Sequence, residues 1–370
     1  MFEKFEKEYL LFLSAIRKLK RCKTCLLPET FPFITFDEDG NCSYCRDYQH
    51  KDIHGMEKLK VKIEKHRKSN NKPDSIVMLS GGRDSSYGLH IVKKELGLDP
   101  IAYTYDCGML TDLAHRNMRT LCQKLDVRHV IISSNISQKK KYCKKNIQAW
   151  LKNPDLGLVP LLLAGDKAYF FHANRLSKKT GIDLVFLMNH GYETTDFKLR
   201  YSGIDTRQWK SKSKFHLIFH FLKNSFKNPS YINSSVFDTA FAFYSNYLIQ
   251  HNYLKLFKYI KWDEQTVNNT LITEYGWETT GDSQSTWGID DAPCPFINYL
   301  YYVLAGFSEN DTFRSHQIRK GVLSREEALK LAEEDNQPHY DSIKTFLDDI
   351  GIDFQYALQQ IHTHPKLYPL

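Results

Sequence analysis

One stretch of the chain constrains its fold more than any other, because an apolar strand, a glycine loop and a helix follow each other directly. Ser75-Ile-Val-Met-Leu79 has the composition of a buried strand, and Ser80-Gly-Gly-Arg-Asp-Ser85 leads from it into helical periodicity over residues 86–96. Gly97 then ends the helix, and Ile101-Ala-Tyr-Thr104 begins another strand. A helix that connects two such strands predicts a parallel sheet with right-handed crossovers.

The same alternation continues downstream and indicates the fold class. The sequence predicts a helix over Thr111–Leu125, a strand over Arg128–Ile132 and a further apolar strand over Asp183–Met188. An α/β fold with a parallel sheet accounts for this order of elements. Ligands of such sheets bind at the carboxyl ends of the strands, so we expect the functional site in the loops that follow them.

The glycine loop has the residues of an anion-binding site. Gly81 and Gly82 let the backbone approach a phosphate without a Cβ in the way, and the free N–H groups at the start of the next helix point toward it. The hydroxyls of Ser80, Ser85 and Ser86 can donate further hydrogen bonds. The loop is therefore predicted to hold the phosphates of a nucleotide.

Two charged residues lie inside this loop. Asp84 either caps the helix or holds Mg²⁺ between phosphate oxygens. Arg83 either reaches the phosphates or points outward along the helix. The alternative for the whole loop is an ordinary strand-to-helix turn with Asp84 as the N-cap, and the sequence context favours phosphate binding.

The loop resembles the pyrophosphate loop Ser-Gly-Gly-x-Asp-Ser of the ATP-pyrophosphatase (adenine nucleotide alpha-hydrolase) superfamily, with a match at all five specified positions. The resemblance implies a HUP-like (Rossmann-like) parallel-sheet domain that splits ATP between its α and β phosphates and transfers AMP to a carbonyl oxygen. It also implies that Asp106, after the second strand, contacts the adenosine portion of ATP. Alternatively, Asp106 caps the turn that leads to Gly108.

Cysteine spacing near the start of the chain predicts a metal site. Cys22 and Cys25 form one pair, Cys42 and Cys45 form another, and sixteen residues separate the pairs. Four thiolates in this arrangement complete a closed tetrahedral zinc site that ties the module together, with an iron–sulfur cluster as the minor rival. The other cysteines are expected to be buried thiols, although Cys107 and Cys294 retain a small chance of a redox or sulfur-transfer role.

The whole chain resembles the N-acetyl sugar amidotransferase family of lipopolysaccharide and flagellin-glycan biosynthesis. The resemblance rests on Cys22-Lys-Thr-Cys25-Leu-Leu-Pro28, Phe36-Asp-Glu-Asp-Gly40 and Cys42-Ser-Tyr-Cys45 ahead of the phosphate loop, and on Gly321-Val-Leu-Ser-Arg-Glu-Glu-Ala-Leu329 near the end. It implies an enzyme that converts the acetamido group of a sugar, often a nucleotide-linked one, into an acetamidino group by means of ATP, Mg²⁺ and ammonia. By the same resemblance, a separate glutaminase and its barrel-type channel partner supply the ammonia.

Two other functions agree with the same loop. A tRNA-thiolating or tRNA-lysidine-type enzyme would share it and would account for the net charge of +8. That alternative is disfavoured because both cysteine pairs precede the loop, an order that favours structural zinc over a catalytic disulfide. A non-catalytic nucleotide-binding partner in a glycan assembly complex is the third reading.

A polar segment after the last predicted strand supplies further candidates. The segment 189–195 follows the strand at 183–188 and places His190 and Glu193 at the rim that carries the phosphate loop. Glu193 is a candidate catalytic residue that binds metal or an amine, and His190 is a candidate substrate contact. The alternatives are a surface acid and a hydrogen-bonded loop histidine.

Two later segments are expected to close over the ligand. Asp290 and Asp291 can bind Mg²⁺ or a sugar, although helix capping explains such a pair about as well. Arg314 and Arg319 are predicted to contact phosphate as catalytic residues, with a solvated helix face as the alternative.

Beyond Tyr201 the sequence becomes helical and strongly aromatic, which predicts a core or a subunit interface, and with it a homo-oligomer, rather than a base-stacking platform. The aromatic residues are Phe215, Phe219, Phe221, Phe226, Phe237, Phe241, Phe243, Tyr244 and Tyr247. The predicted organisation is a helix at 1–20, a four-cysteine zinc module at 21–50, an ATP-pyrophosphatase domain at 73–200 and a helical substrate or oligomerisation lobe at 201–370, of which 273–325 returns to the active site.

Composition limits the class of protein further. A hydrophobic share of 42% and a charged share of 25% are ordinary for a folded protein. The lysine-rich stretches at 58–72 and 139–145 are expected to be solvated helix faces, so a nucleic-acid partner is not expected. The sequence has no recognisable secretory signal or membrane-spanning run, which predicts a cytoplasmic protein.

Overall fold

The computed structural model describes residues 2–50, 52–68, 72–163, 165–208, 213–282 and 286–370. Within them the chain forms a five-stranded sheet in the order β3-β2-β1-β4-β5, and each pair of neighbouring strands is parallel. The strands are β1 (Ser75–Met78), β2 (Pro100–Asp106), β3 (Arg128–Ser133), β4 (Val185–Leu187) and β5 (Leu254–Lys255). The predicted α/β class with a parallel sheet is therefore confirmed.

The helices connect these strands and form the rest of the molecule. They are α1 (Glu3–Ile16), α2 (Ser43–Arg46), α3 (Met56–Glu64), α4 (Arg83–His90), α5 (Asp112–Leu125), α6 (Ile136–Lys152), α7 (Tyr169–Thr180), α8 (Phe197–Arg200), α9 (Ser213–Lys227), α10 (Val236–Phe243), α11 (Glu264–Tyr275), α12 (Cys294–Ala305), α13 (Glu309–Arg319), α14 (Arg325–Asp335), α15 (Tyr340–Asp349) and α16 (Phe354–Thr363). Short 3-10 turns occur at Leu156–Leu161, Asp166–Ala168, Thr206–Gln208, Pro229–Tyr231 and Leu256–Lys258, and π turns at Ile91–Glu95 and Tyr244–Leu248.

The continuous apolar run of β1 is explained by its place at the centre of the sheet, where helices cover both faces. Ile76 and Met78 point to one face and pack with Ala173 of α7. Val77 points to the other face and packs with Leu89 of α4. Alternate residues of one strand are thus buried in two separate cores. A slip of the strand by one residue would place each side chain in the wrong core.

The order of the strands reverses at β1, because the chain runs outward to β2 and β3 and then returns to β4 on the other side. In open parallel sheets such a switch point leaves a crevice at the carboxyl ends of the two central strands. The loops that begin at Leu79 and at Met188 therefore face each other across this crevice.

The start of the chain packs on its C-terminal helices rather than on the sheet. Residues of α1, of the cysteine module and of α12, α15 and α16 share one apolar core. The hydroxyl of Tyr9 donates to the carbonyl of Asn336 at 3.0 Å, and the amide of Leu26 donates to the hydroxyl of Ser315 at 3.1 Å. The module that precedes the sheet in sequence is therefore built into the helical region that follows it.

Two local expectations differ from the structure. The apolar and β-branched residues of Phe33-Ile-Thr-Phe36 predict a short strand, but none forms, because Phe33 has a left-handed backbone with φ of 57° and only an isolated bridge joins Phe36 to Cys42. The sheet also continues past residue 200, the predicted end of the ATP-pyrophosphatase domain, since Leu254–Lys255 adds β5 to its edge beside β4.

The aromatic segment beyond Tyr201 is only partly buried. On α9, the side chains of Phe215, Phe219 and Phe226 are 70%, 62% and 88% exposed, and they form one stripe with Ile218 and Leu222. Phe237 on α10 is also exposed. The predicted core therefore does not include these residues. Among the described helices, none combines the length and the apolar character that crossing a bilayer requires.

Candidate functional site

The glycine loop forms a compact turn between β1 and α4. The hydroxyls of Ser80 and Ser85 lie 3.0 Å apart, and the hydroxyl of Ser85 accepts from the amide of Ser80 at 3.1 Å. Gly81 has φ of 85°, and a Cβ there would lie 2.6 Å from the carbonyl oxygen of Ala114 in α5. Only glycine fits that position, because both the backbone conformation and the close approach of α5 exclude a side chain.

A segment from the far end of the chain covers this loop. A Cβ on Gly82 would lie 2.6 Å from the Asp290 carboxyl group. The backbone of the covering segment is held by an isolated antiparallel bridge between Leu110 and Asp291, and by the amide of Thr111, which donates to the carbonyl of Asp290 at 3.1 Å. Residues 290 and 291 therefore lie against the glycine loop and the segment that follows β2.

Two carboxylates and an imidazole meet where the loops after β1 and β4 face each other. The Nε2 atom of His190 lies 3.2 Å from Oδ2 of Asp84 and 3.3 Å from Oε1 of Glu193. The indole N–H of Trp262 donates to Oδ1 of Asp84 at 2.6 Å, and the indole ring lies against the imidazole with centroids 4.4 Å apart. Ligand atoms of the three titratable residues lie within 4.8 Å of one another, close enough to share one metal ion.

The charges of this cluster depend on one another. Burial alone would raise the pKa of Asp84, but the Arg83 guanidinium and the His190 imidazolium hold it well below its usual range. Burial disfavours the charged form of His190, yet Asp84 and Glu193 raise its pKa to about 9. Burial and the neighbouring Asp84 raise the pKa of Glu193 to about 7. A positive charge between the two carboxylates is therefore favoured. The imidazolium of His190 supplies this charge, and a divalent cation would also supply it.

The cavity beside this cluster is acidic. It has a volume of about 410 Å³ and is lined by six acidic residues but by only two basic ones among its described lining residues. The acids are Asp84, Asp166, Glu193, Asp290, Asp291 and Glu309, and the bases are Arg83 and Lys167. Burial together with Asp290 and Asp166 raises the pKa of Asp291 to about 8. Burial also raises the pKa of Asp290, so part of this lining is protonated near neutral pH, and a bound cation would favour the charged carboxylates.

Two arginines that the sequence places near phosphate share one distant carboxylate, and of the two only Arg83 lines the acidic cavity. Arg83 donates to Oε1 of Glu264 at 2.8 Å and lies over the ring of Trp262, while Arg314 donates to Oε2 of the same carboxylate at 2.6 Å. Arg314 also donates to Asp335 at 2.9 Å. The predicted phosphate contact of Arg314 does not occur, because its buried guanidinium is fully paired inside this network.

Arg319 lies at the cysteine module instead of at the phosphate loop. Its Nη2 atom is 3.5 Å from Sγ of Cys25, and its Nη1 atom is 3.3 Å from Nδ1 of His316. A guanidinium beside a thiolate offsets part of the negative charge that four cysteines would place on a metal. The structure therefore places Arg319 in the surroundings of the metal site and away from the glycine loop.

Asp106 ends β2 but turns its side chain into its own loop. Its carboxylate accepts from the amide of Gly108 at 2.7 Å, which is the turn-capping alternative that the sequence left open. Cys107 and Cys294 line the acidic cavity. Burial raises the pKa of Cys107 to about 12 and that of Cys294 well above its usual range, so both are neutral thiols and poor nucleophiles.

The four cysteines of the N-terminal module converge on one point. Sγ of Cys22 lies 3.9 Å from that of Cys45, and Sγ of Cys25 lies 3.7 Å from that of Cys42. A single tetrahedral ion with metal–sulfur bonds of about 2.3 Å would place its sulfurs about 3.8 Å apart. Amides also donate to Sγ of Cys22, from Cys25 at 3.4 Å and from Cys42 at 3.2 Å. The cluster therefore has the composition and the spacing of a metal-binding site.

Sequence reasoning missed several residues of the site. Trp262 and Glu264 belong to no recognisable motif. They contact the glycine loop, but 178 residues separate Trp262 from Asp84 and 181 residues separate Glu264 from Arg83. Lys167 lines the acidic cavity beside Asp166, its ion-pair partner at 2.9 Å. Only the grouping of charged residues with a tryptophan at Trp262-Asp-Glu264 could have drawn attention to that segment.

No protein-family model matches the chain, and no curated protein matches it. One similar solved structure is the U34-tRNA thiolase NcsA from Methanococcus maripaludis with its 4Fe–4S cluster; it has 14% sequence identity and a TM-score of 0.31, and the match covers 90% of this chain and 89% of that one. At that similarity the likeness carries no conclusion about activity.

The main function predicted from the sequence, N-acetyl sugar amidotransfer, is not supported by these comparisons and is not retained. The similar structure is a tRNA thiolase and not an N-acetyl sugar amidotransferase. The predicted conversion of a sugar acetamido group, and with it the role in lipopolysaccharide biosynthesis, has no support. The loop, the parallel sheet and the four-cysteine cluster do not depend on that prediction.

Proposed function

We propose that this protein is an ATP-dependent adenylating enzyme. A carbonyl oxygen of the acceptor forms a bond to the α phosphorus of ATP while the bond from that phosphorus to the α–β bridging oxygen breaks, and pyrophosphate leaves with the electron pair. A nitrogen or sulfur nucleophile then attacks the same carbon, expels AMP together with the oxygen and releases its proton to water. Adenylation is needed because an amide-type carbonyl is otherwise a poor electrophile.

One observation carries the proposal: at the switch point of the sheet, Asp84 of the glycine loop meets His190 and Glu193, which follow β4. The loop offers backbone amides and the hydroxyls of Ser80 and Ser85 to phosphate. The cluster offers carboxylates at the same rim. This pairing of an anion site with a cation site suits the metal complex of a nucleotide.

Mg²⁺ is the cation that we propose for Asp84 and Glu193. Carboxylate oxygens are its preferred protein ligands, and it would supply the positive charge that the departing pyrophosphate needs. His190 bonds to both carboxylates and would hold them in position. The acidic lining of the cavity supports this assignment, because a cation there would stabilise both the charged carboxylates and the phosphates of ATP.

For the four cysteines we propose one zinc ion with a structural role. The sulfur separations of 3.7 Å and 3.9 Å suit a single tetrahedral ion. A 4Fe–4S cluster binds each cysteine through a different iron and would need the sulfurs farther apart. A closed site with four protein ligands leaves no position for a substrate.

For the acceptor we propose a nucleotide in tRNA, the alternative that the sequence allowed. The observation in favour is a second cavity behind His190, lined by six Lys or Arg and three Asp residues together with the rings of Phe31, Tyr44 and Tyr48. Positive charge interleaved with aromatic rings is what RNA recognition uses.

The test is to incubate the protein with Mg²⁺, unmodified tRNA, ATP labelled at the α phosphate, and ammonium or sulfide as the nucleophile. We expect AMP and pyrophosphate with no ADP, and a loss of about 100-fold or more in Asp84→Asn, because that variant removes a charge beside the reacting phosphates. Asp183→Asn is the matched control, since Asp183 is exposed. ADP formation, or AMP formation that Asp84→Asn leaves unchanged, would refute the proposal. Nucleotide binding without any pyrophosphate would indicate a non-catalytic partner.

A further inference from the structure

The second cavity shares a wall with the acidic one. It has a volume of about 760 Å³, and Asn189 lines both cavities. Asp84 and Glu193 line the acidic cavity, whereas His190 and Gly191 line the second one. The cluster of Asp84, His190 and Glu193 therefore lies between the two cavities. One molecule in each cavity would have access to this cluster.

The two cavities have opposite charge. Two bases and six acids line the first, but six bases and three acids line the second, which we call the cationic cavity. A concave surface with one dominant sign of charge attracts ligands of the opposite sign. The cationic cavity thus suits an anion that arrives without its own metal, in contrast to the space beside the glycine loop.

Lys320 contacts the segment that carries His190 and Glu193. Its Nζ atom lies 3.9 Å from the ring centroid of Tyr192, and it stands 3.0 Å from where a Cβ on Gly191 would be. The side chain is half-buried, and burial lowers its pKa. Among the described residues no carboxylate lies within 4 Å of it, whereas Arg200 and Arg207 both pair with Asp205.

A half-buried ammonium without an anionic partner is unusual, because the lost hydration is not replaced. Two arginines of the cavity behave differently. Arg200 and Arg207 lie on the ring of Tyr44, with Cζ 4.7 Å and 4.6 Å from its centroid. They are held by ring and carboxylate alike, and Arg319 is held at the cysteine module. Lys255 and Lys258 also have no carboxylate within 4 Å among the described residues, but they are exposed. Lys320 is therefore the half-buried cation of this cavity that has capacity for a ligand.

We propose that the cationic cavity binds a phosphate group of the acceptor and that Lys320 contacts it directly. The inference rests on the proposed function, since it assigns the acceptor to the side of His190 opposite ATP. Tyr44 and Tyr48 belong to the cysteine module and line the cavity. The metal site would therefore shape one wall of the acceptor site. A phosphate in RNA and one in a free nucleoside diphosphate share this chemistry.

The experiment measures binding without ATP, with radiolabelled unmodified tRNA on filters and with radiolabelled uridine diphosphate in equilibrium dialysis. We expect Lys320→Ala to weaken binding of one probe about tenfold or more, because a charge-assisted contact to phosphate is lost. Lys320→Arg should retain most of the affinity. Lys330→Ala, on an exposed position of α14, is the matched control and should bind as the unchanged protein does.

The probe whose binding depends on Lys320 identifies the source of the phosphate. For tRNA, Lys320→Ala should also reduce the dependence of log affinity on log salt by about one. If neither probe binds the unchanged protein, or if Lys320→Ala binds both equally well, the inference is wrong. AMP formation in the same preparations is a separate readout: its absence with Lys320-dependent binding intact would defeat the proposed function alone.

Discussion

At the scale of single residues, Glu264 is the shared ion-pair partner of two arginines. Its two carboxylate oxygens pair with Arg83 at 2.8 Å and Arg314 at 2.6 Å, and Gln317 donates to it at 3.1 Å. Burial would raise the pKa of Glu264, but the two guanidinium groups lower it below its usual range. The carboxylate is therefore more stable when charged in the folded protein than in the unfolded chain.

We expect Glu264→Gln to destabilise the protein by about 3 kcal/mol or more, because it leaves two buried guanidinium groups without their shared anion. The folded pKa is lowered, so this stabilisation is present above the ordinary pKa of glutamate and is lost as the pH falls through the folded value. Denaturant unfolding at several acidic pH values measures both effects. The variant should show the weaker pH dependence.

The matched control is Glu278→Gln, which breaks an exposed pair with Arg116 at 2.8 Å. Exposed ion pairs contribute little, so this change should hardly affect the free energy of unfolding. Equal effects of the two substitutions would show that the Glu264 network does not stabilise the fold.

At the scale of elements, local patterns predicted much of the fold. The helix predicted over Thr111–Leu125 is α5, which begins at Asp112 because the Thr111 side chain accepts from the amide of Ala114. The sequence Ser324-Arg-Glu-Glu327 ahead of apolar residues predicts a capping box, and Ser324 and Glu327 form one at the start of α14. These features succeed because the residues that determine them lie within a few positions of one another.

Local sequence patterns did not predict the contacts between distant segments of the chain. β5 has two residues, and its place beside β4 depends on the sheet edge rather than on its own sequence. A basic residue such as Arg314 or Arg319 has the same appearance in sequence whether it meets a phosphate, a carboxylate or a thiolate. The glycine loop was recognisable because all its parts are adjacent, whereas Trp262 and Glu264 were not.

The cysteine module offers a prediction at this scale. We expect one metal ion per chain, and we expect Cys42→Ser to lose it together with the packing of the module on α13 and α14. Metal binding supplies folding free energy to such modules, which are small and lack a core of their own. Elemental analysis measures the metal, and limited proteolysis between residues 21 and 50 measures the loosening.

Cys122→Ser is the control, because Cys122 is a buried thiol of the sheet core and lies outside the cluster. It should retain the full metal content even if it lowers stability. An unchanged metal content in Cys42→Ser would mean that the metal is bound elsewhere, and iron in place of zinc would support the rival cluster.

At the scale of the whole molecule, the apolar stripe of α9 is the largest departure from an ordinary surface. Phe215, Phe219 and Phe226 lie on one side of the helix and are mostly exposed. Patches of this kind bind apolar molecules from solution. We expect the folded protein to bind a hydrophobic fluorescent dye, and the double variant Phe219→Ser with Phe226→Ser to bind less of it.

Because both side chains are exposed, the double variant should change the free energy of unfolding by only about 0.5 kcal/mol per site. Val61→Ser, on an isolated exposed position that is 78% accessible, is the control and should leave dye binding unchanged. Dye binding that is absent in the unchanged protein would show that the stripe is covered in solution, as the homo-oligomer predicted from the sequence requires.

The support of the cysteine module by α14 has a consequence for biosynthesis. The guanidinium Nε of Arg325 donates to the carbonyls of Cys22 at 3.2 Å and Cys25 at 3.3 Å, and Ala328 and Ala332 pack on Leu26. At about 5–20 residues per second, a ribosome needs roughly 15–60 s to pass from Cys45 to Arg325. During that interval the nascent thiols lack their protein scaffold and are open to oxidation. Early capture of metal would protect them, so cellular zinc supply should influence how much of the newly made chain matures.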